Sequence, residues 1–250
     1  MARCNPVKTP MAINAQLPIL TEAEVDVIEY QRSDASLMYL MVCTQLDIAF
    51  AVGVLLCHIA SPGDVHMLAV KHVFWYLYGT SKYRLVFCVN DSIDSPPIAY
   101  MDSDWAGDQA DRKSISGYTI LLDGGAISWG LKKQSSVSLS TVKAEFIATS
   151  TVVKEVLWHR ALFCSLNMMP PDPTQVLIDN QGALDLIKSG QINDCTKHID
   201  TKFRHICNCK AMEDIKSEHV SMEHQVADIM MKSLGKEKFL LFQGKIGVKL

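Results

Sequence analysis

The sequence predicts an α/β fold over residues 98–250, preceded by a mainly helical segment over residues 1–97. In the second part, short apolar strands alternate with helical periodicity in the order β-β-β-α-β-α-α-β-α. The charge distribution also changes: residues 1–98 carry 6 basic and 9 acidic side chains, whereas residues 99–250 carry 18 of each. The chain of 250 residues is long enough to bury a sizeable core. We therefore expect two parts with different surfaces.

The sequence of the first part predicts helices that follow an N-terminal arm with three prolines. Residues 1 to about 33 are expected to be extended. Apolar spacing predicts a helix over Ser36–Ile59, and Ser61-Pro62-Gly63-Asp64 separates it from a second helix over Val65–Tyr78. A strand is expected over Leu85–Val89. The polar stretch Asn90–Pro97 then marks the boundary between the two parts.

The second part predicts strands and helices in alternation. The turn Asp123-Gly124-Gly125 indicates a hairpin, and Ser140 or Thr141 can cap the helix that follows it. The expected strands are 98–102, 117–122, 126–129, 175–178 and 218–221, and the expected helices are 141–162, 182–189, 197–212 and 223–234. This order is typical of an open α/β sheet.

Composition excludes several classes of protein. A net charge of −3 argues against binding of nucleic acid through bulk positive charge, although a local basic face is compatible with it. The apolar stretch Ala35–Ala60 contains Gln45 and Asp47 near its middle, so we expect buried helix and no membrane span. Eight cysteines without a CxxC pair and no secretory leader pattern predict an intracellular protein, cytoplasmic or nuclear, that is not secreted.

Four acidic residues are candidates for a metal site. Asp102 and Asp179 stand at the ends of predicted strands, where open α/β sheets place their ligands. Glu145 lies one turn into the helix after the hairpin, and Asp228 lies in the last predicted helix. Carboxylates crowded at one sheet edge repel one another, and divalent cations relieve this repulsion. Hard oxygen ligands favour Mg²⁺ or Mn²⁺ over zinc.

A resemblance to a known protein family strengthens the case that these four acids form a site and are not isolated surface groups. The second part contains a series of sequence blocks, which are Tyr100-Met101-Asp102-Ser103-Asp104-Trp105-Ala106-Gly107-Asp108, Asp111–Tyr118, Gly124–Trp129, Lys132-Lys133-Gln134, Leu139–Ala148, Asp179–Ala183, Thr196–Asp200 and Gln225–Ile229. Together these blocks resemble the ribonuclease H domain of copia-type LTR retrotransposon Pol polyproteins. The blocks follow the order of that family.

The first part is similar to the segment that follows the polymerase core in the same polyproteins. The matching blocks are Pro6–Met11, Ser36–Leu40 and Asp47–Val52. The resemblance implies that residues 1–97 are the C-terminal, thumb- or connection-like end of a reverse transcriptase without its catalytic core. Since a Tyr-x-Asp-Asp string is absent, no polymerase activity is expected. For residues 98–250 it implies a ribonuclease H-like mixed five-stranded sheet flanked by helices.

The resemblance also implies residue roles. The family's metal-binding acids fall on Asp102, Glu145 and Asp179, with Asp228 as the fourth and Asp200 as its competitor. Asp104 is either an outer carboxylate of the same site or a solvated acid. Cys195, His198, His205, Cys207 and Cys209 lack the spacing of a zinc site.

The implied activity is hydrolysis of the RNA strand of RNA/DNA hybrids, with two Mg²⁺ or Mn²⁺ ions held about 4 Å apart. The implied partners are the hybrid itself and the polymerase core. Arg112, Lys113, Lys132 and Lys133 are candidate phosphate contacts beside the hairpin. The alternative is a degenerate Pol remnant that is catalytically inactive and only binds nucleic acid or a partner protein.

Overall fold

The structure, a computed structural model, describes residues 4–13, 15–88, 96–107, 111–168, 170, 172–190 and 200–250. It forms two compact units, one from Met1–Val86 with Lys232–Leu250 and the other from Phe87–Met231. This division differs from the expected boundary between residues 97 and 98, because the C-terminal segment packs with the first unit. Within the described residues, no helix is long and apolar enough to cross a membrane.

The described residues form the following helices and strands. In order they are α1 (Val27–Cys43), a 3₁₀ turn (Leu46–Ile48), α2 (Ala49–Leu56), α3 (Asp64–Gly79), β1 (Arg84–Leu85), β2 (Ile98–Asp104), β3 (Ile115–Leu122), β4 (Gly125–Lys133), α4 (Thr141–Ser165), β5 (Thr174–Ile178), α5 (Gln181–Ser189), α6 (Asp200–Ala211), β6 (Ile215–His219), α7 (Asp228–Met231), α8 (Lys236–Lys245) and β7 (Val248–Lys249).

The first unit corrects two expectations. Its first helix begins at Val27, inside the expected arm, because Asp26 Oδ1 accepts hydrogen bonds from the amides of Ile28 (2.8 Å) and Glu29 (3.2 Å). The single helix expected over Ser36–Ile59 is interrupted between α1 and α2. The interruption carries Asp47 into the unit's interior, where its carboxylate accepts hydrogen bonds from two buried side chains.

The C-terminal segment completes the first unit. Gln243 of α8 donates from Nε2 to Asp47 Oδ2 at 2.9 Å, and Tyr76 of α3 donates to the same oxygen. The strand expected over Leu85–Val89 is limited to β1, which pairs antiparallel with β7; Val89 lies outside the described residues. Neither α8 nor β7 was expected from the sequence.

The second unit contains the mixed five-stranded sheet. Its strand order is β4-β3-β2-β5-β6. The pairs β2–β3 and β3–β4 are antiparallel, whereas β2–β5 and β5–β6 are parallel. This confirms the α/β class with a mixed five-stranded sheet flanked by helices.

The core of the second unit lies between this sheet and its helices. Apolar residues of β2, β3 and β5 pack with those of α4, α5 and α6 in one cluster. In that cluster the rings of Phe146 in α4 and Phe203 in α6 stack with their centroids 5.8 Å apart. The long helix α4 packs on β2 and β3 and therefore has a fixed position relative to the end of β2.

Several boundaries near the C-terminus differ from expectation. The strand expected over 218–221 is β6, in which Ile215 and Ser217 point inward. The helix expected over Glu223–Leu234 is reduced to the single turn α7, because the residues before it form a tight turn. Of the helix expected over residues 197–212, the structure describes α6, Asp200–Ala211. Residues 191–199 lie outside the described ranges, so the expected start at residue 197 is not described.

Candidate metal site at the β2–β5 edge

Two of the candidate acids come from neighbouring parallel strands. Asp102 lies near the carboxyl end of β2, and Asp179 directly follows β5. The two strands pair in parallel, with Tyr100 opposite Leu177. Because parallel strands end at the same edge of a sheet, Asp102 and Asp179 lie at one edge.

Glu145 reaches the same edge from helix α4. The helix begins after Ser140, whose Oγ accepts a hydrogen bond from the amide of Lys143 at 3.3 Å. Glu145 therefore lies in the second turn, and its carboxylate is buried against the end of β2. The amide of Ser103 lies 2.8 Å from Asp102 Oδ1 and 3.2 Å from Glu145 Oε1. One backbone donor thus contacts both carboxylates.

The three acids form a compact group. One carboxylate oxygen from each of Asp102, Glu145 and Asp179 lies within 4.8 Å of the other two. Asp102 is 3% exposed and Glu145 is 5% exposed, whereas Asp179 is partly exposed. This is the only such group of possible metal ligands among the residues that the structure describes.

The electrostatics of the group favour a bound cation. Burial raises the pKa of Glu145 to about 9, and the neighbouring charges of Asp102 and Asp179 add to this effect. Glu145 Oε2 is buried and has no hydrogen-bonding partner within the described part of the chain. A set of carboxylate oxygens with one unsatisfied buried atom fits a hard divalent cation such as Mg²⁺ or Mn²⁺.

Asp228 lies nearby but outside this group. It is the first residue of α7 and is 2% exposed. The helix packs on β2 and β3, and Gln225 before it donates a hydrogen bond to the carbonyl of Met101 on β2. The structure thus anchors the approach to α7 beside Asp102 without placing Asp228 among the three converging carboxylates. The side chain of its competitor Asp200 lies outside the described residues.

The other candidates do not join the site. Asp104 is partly exposed at the end of β2 and is not part of the group of three. For the zinc alternative, Cys195 and His198 lie outside the described residues, and Cys209 Sγ is 3.9 Å from His205 Nδ1 one helical turn away.

Two of the four candidate phosphate contacts form ion pairs. Lys113 Nζ lies 3.2 Å from Asp111 Oδ2, and Lys133 Nζ lies 3.0 Å from Asp111 Oδ1. Arg112 and Lys132 occupy the same end of the β3–β4 hairpin and are exposed. The pairs with Asp111 are exposed to solvent and contribute little stability, so a phosphate can compete for both lysines.

The sequence did not identify three groups that form hydrogen bonds with the acids or with the backbone next to them. They are the backbone amide of Ser103 and the side chains of Gln134 and Gln225. A backbone amide carries no residue-specific signal, and a buried glutamine cannot be distinguished from an exposed one in a single sequence.

The chain is similar to transposon polyproteins along nearly its whole length. No protein-family model matches the chain. It is 36% identical over 255 residues to the retrovirus-related Pol polyprotein from transposon TNT 1-94 of Nicotiana tabacum, a match covering 99% of this chain and 19% of that polyprotein. The corresponding polyprotein from transposon RE1 of Arabidopsis thaliana is 32% identical over 249 residues, covering 99% of this chain and 17% of the polyprotein.

Among solved structures, the chain is similar to the RNase H1 from the halophilic archaeon Halobacterium salinarum. The sequence identity is 13%, the match covers 53% of this chain and 91% of that protein, and the TM-score is 0.39. The second unit has the strand order β4-β3-β2-β5-β6 in a mixed sheet with flanking helices. The chain belongs to the copia-type retrovirus-related Pol polyproteins, and it spans about a fifth of the length of the relatives it matches.

Proposed function

We propose that this chain is a ribonuclease H that hydrolyses the RNA strand of RNA/DNA hybrids endonucleolytically. In this proposal Asp102, Glu145 and Asp179 hold two divalent cations, Mg²⁺ or Mn²⁺, and Asp228 completes the shell of one of them. The relatives and the fold class support a ribonuclease H-type nuclease.

One observation carries the proposal: three carboxylates from β2, α4 and the end of β5 converge within 4.8 Å. The folded chain keeps Asp102 and Glu145 together despite their burial and the repulsion that raises the pKa of Glu145. Such an arrangement is costly unless a cation neutralises it. A structural role alone gives no reason for three acids at one point.

The chemistry follows from the roles of the side chains. Two divalent ions held by these acids would supply activation of a water and stabilisation of the leaving oxygen of a phosphodiester in an in-line displacement. Asp102 and Asp179 stand at the ends of neighbouring strands and would bind the two ions. Glu145 approaches the 2′-hydroxyl of the RNA strand. The water oxygen adds to phosphorus as the bond to O3′ breaks, which leaves a 5′-phosphate and a 3′-hydroxyl.

Selection of the hybrid follows from its shape. An RNA/DNA hybrid has an A-like minor groove that displays 2′-hydroxyl groups, and recognition of these features requires no particular base sequence. We therefore propose the hybrid as substrate, with cutting at many positions. The reverse-transcriptase identity of residues 1–97, and the polymerase core as their partner, remain predictions from the sequence.

The test is cleavage of a hybrid labelled on each strand by the full chain, with Mg²⁺ or Mn²⁺. We expect cutting of the RNA strand only, lost in Asp102→Asn and in Asp179→Asn. The matched control is Asp185→Asn, which makes the same chemical change at an exposed position of α5 and should leave cutting unchanged.

The outcomes separate the two functions considered. Cation-dependent cutting that persists in folded Asp102→Asn or Asp179→Asn protein would contradict the assignment of the site. Absence of cutting by folded wild-type protein would instead favour the inactive remnant that only binds nucleic acid or a partner. Circular dichroism of each variant establishes that it is folded.

A further inference from the structure

Two buried glutamines contact the backbone next to the carboxylate group. Gln225 Nε2 donates to the carbonyl of Met101 at 2.7 Å, and Gln134 Nε2 donates to the carbonyl of Ala144 at 2.9 Å. Gln225 is fully buried and Gln134 is 6% exposed. Met101 immediately precedes Asp102, and Ala144 immediately precedes Glu145. Each amide therefore restrains the peptide that leads into one of the converging acids.

Gln134 connects three elements through one side chain. Besides the carbonyl of Ala144, its Nε2 donates to Ser116 Oγ on β3 at 2.8 Å, and its Oε1 accepts from Ser138 Oγ at 2.8 Å. The carbonyl of Ser138 in turn accepts from Trp105 Nε1 at 2.9 Å, which returns to the end of β2. The Gln134 amide thus joins the first turn of α4 directly to β3, and joins it to the end of β2 through Ser138 and Trp105.

Gln225 forms a hydrogen bond with the backbone of β2 just beyond the last residue of β2 that pairs with β5. The parallel pairing of β2 with β5 ends at Tyr100, one residue before the carbonyl that Gln225 contacts. The backbone of Gln225 also begins the turn into α7, because its carbonyl accepts from the amide of Asp228 at 3.2 Å. The same residue therefore holds Asp102 and the start of α7 together.

A neutral amide suits this role better than a charged side chain. The converging carboxylates repel one another, so their spacing has to be maintained by the backbone before a cation arrives. A lysine or arginine at either position would neutralise the acids and compete with the cation. Glutamine provides directed hydrogen bonds without adding charge.

We propose that Gln134 and Gln225 are positioning residues for the cation site: they hold the backbone of Glu145 and Asp102 at the spacing that admits divalent ions. This inference rests on the proposed function. Neither side chain contacts the acids' carboxylates in the hydrogen bonds described, so both act through the peptide that precedes each acid.

The test compares Gln134→Met and Gln225→Met with Gln243→Met, all in the full chain. Gln243 is a buried amide of the first unit, 3% exposed and hydrogen-bonded to Asp47 and Tyr76, so the control makes the same change outside the acid group. Calorimetric titration with Mn²⁺ gives the Kd, denaturant unfolding gives the stability, and hybrid cleavage gives kcat and KM.

We expect Gln134→Met and Gln225→Met to weaken Mn²⁺ binding about tenfold or more, the usual effect of removing a group that orients metal ligands. Their kcat should fall by a similar factor, while KM for the hybrid changes little. Gln243→Met should lose stability with an unchanged Kd for Mn²⁺. A stability loss without a change in Kd for the first two variants would assign them a merely structural role and overturn the inference.

A milder variant covers the case in which the methionine variants do not fold. Ser138→Ala removes only the hydrogen bond to Gln134 Oε1 and should weaken Mn²⁺ binding by about two- to fivefold, corresponding to roughly 0.5–1 kcal/mol for one hydrogen bond. An unchanged Kd in this variant would overturn the role of Gln134. Wild-type protein that binds no Mn²⁺ would overturn the proposed function, and this inference with it.

Discussion

Asp34 in α1 is a buried carboxyl group outside the proposed site. It is fully buried, and neither of its oxygens has a hydrogen-bonding partner among the described residues. Burial raises the pKa of Asp34 to about 6. Its charge also contributes to the raised pKa of Tyr30, although burial is the larger cause there. We therefore expect the stability of the first unit to depend on pH through this residue.

The sign of that dependence follows from proton binding. Because the pKa of Asp34 is higher in the folded than in the unfolded chain, the folded state binds the proton more tightly. The contribution of Asp34 to the free energy of unfolding is thus greatest below about pH 4 and is lost as the pH rises through 6. We expect Asp34→Asn to raise the free energy of unfolding by about 1–3 kcal/mol at pH 7, because the neutral amide avoids the cost of ionising a buried carboxyl group.

Denaturant unfolding of both proteins between pH 4 and pH 8 measures this effect. The gain in Asp34→Asn should disappear toward pH 4, where the wild-type carboxyl group is also neutral. Identical pH profiles for the two proteins would show that Asp34 is ionised at no cost.

At the scale of elements, the contact of α7 with β3 brings Asp228 close to the sheet. Gly117 of β3 lies opposite Asp102 in the antiparallel register. A Cβ atom at Gly117 would overlap the side chain of Met231 at the end of α7. A glycine at this position therefore allows α7 to lie directly on the strand.

We predict that Gly117→Ala lowers the free energy of unfolding by about 1–3 kcal/mol through this overlap. The double variant Gly117→Ala/Met231→Ala should be more stable than the sum of the single changes implies, since removal of the Met231 side chain relieves the overlap. Denaturant unfolding of the four proteins measures the coupling. Strictly additive changes in the free energy of unfolding would contradict a contact between positions 117 and 231.

The first turn of α5 is stabilised by a side-chain cap. Asn180, directly after Asp179, accepts a hydrogen bond at Oδ1 from the amide of Ala183 at 3.0 Å and caps this helix. We expect Asn180→Ala to cost about 1 kcal/mol of stability, as measured by thermal unfolding. Asn180→Asp keeps a capping oxygen and should restore most of the loss; equal losses in both variants would exclude the cap as the cause.

At the scale of the whole molecule, the C-terminal segment belongs to the first unit. Phe239 of α8 packs edge-on against Tyr76 with ring centroids 5.8 Å apart, and Gln243 bonds the buried Asp47. Strand β7 pairs with β1. The first unit is thus assembled from both ends of the chain.

We predict that removal of residues 232–250 speeds amide hydrogen exchange in α1, α2 and α3 at least tenfold. The deletion leaves Asp47 without one of its donors and exposes the apolar surface that α8 covers. Exchange in β2 and β5 should stay unchanged, because these strands belong to the second unit. Removal of residues 248–250 alone takes away β7 but keeps α8, and should have a smaller effect on amide exchange. Unchanged exchange in α1, α2 and α3 after removal of residues 232–250 would contradict the assembly of the first unit from both ends of the chain.

The sequence by itself determined the order of strands and helices in the second unit and the positions of Asp102, Asp179 and Glu145. Alternation, turn residues and helix caps are local signals. The convergence of Asp102 and Asp179 was expected only on the condition that their strands are neighbours, and the parallel pairing of β2 with β5 meets that condition. The interruption between α1 and α2 could not be predicted, since it depends on the contacts of Asp47 with α3 and α8. Local signals also did not distinguish the short helix α7 from the longer helix expected over Glu223–Leu234.

Only the tertiary structure decided how the acids are held and which residues share a unit. The hydrogen bond from Gln225 to Met101 joins residues 124 positions apart, and that from Gln243 to Asp47 joins residues 196 apart. A buried amide at either position has the same local sequence signal as an exposed one. Its role is set by the partner that folding brings to it, because an unpaired polar group in the interior is costly.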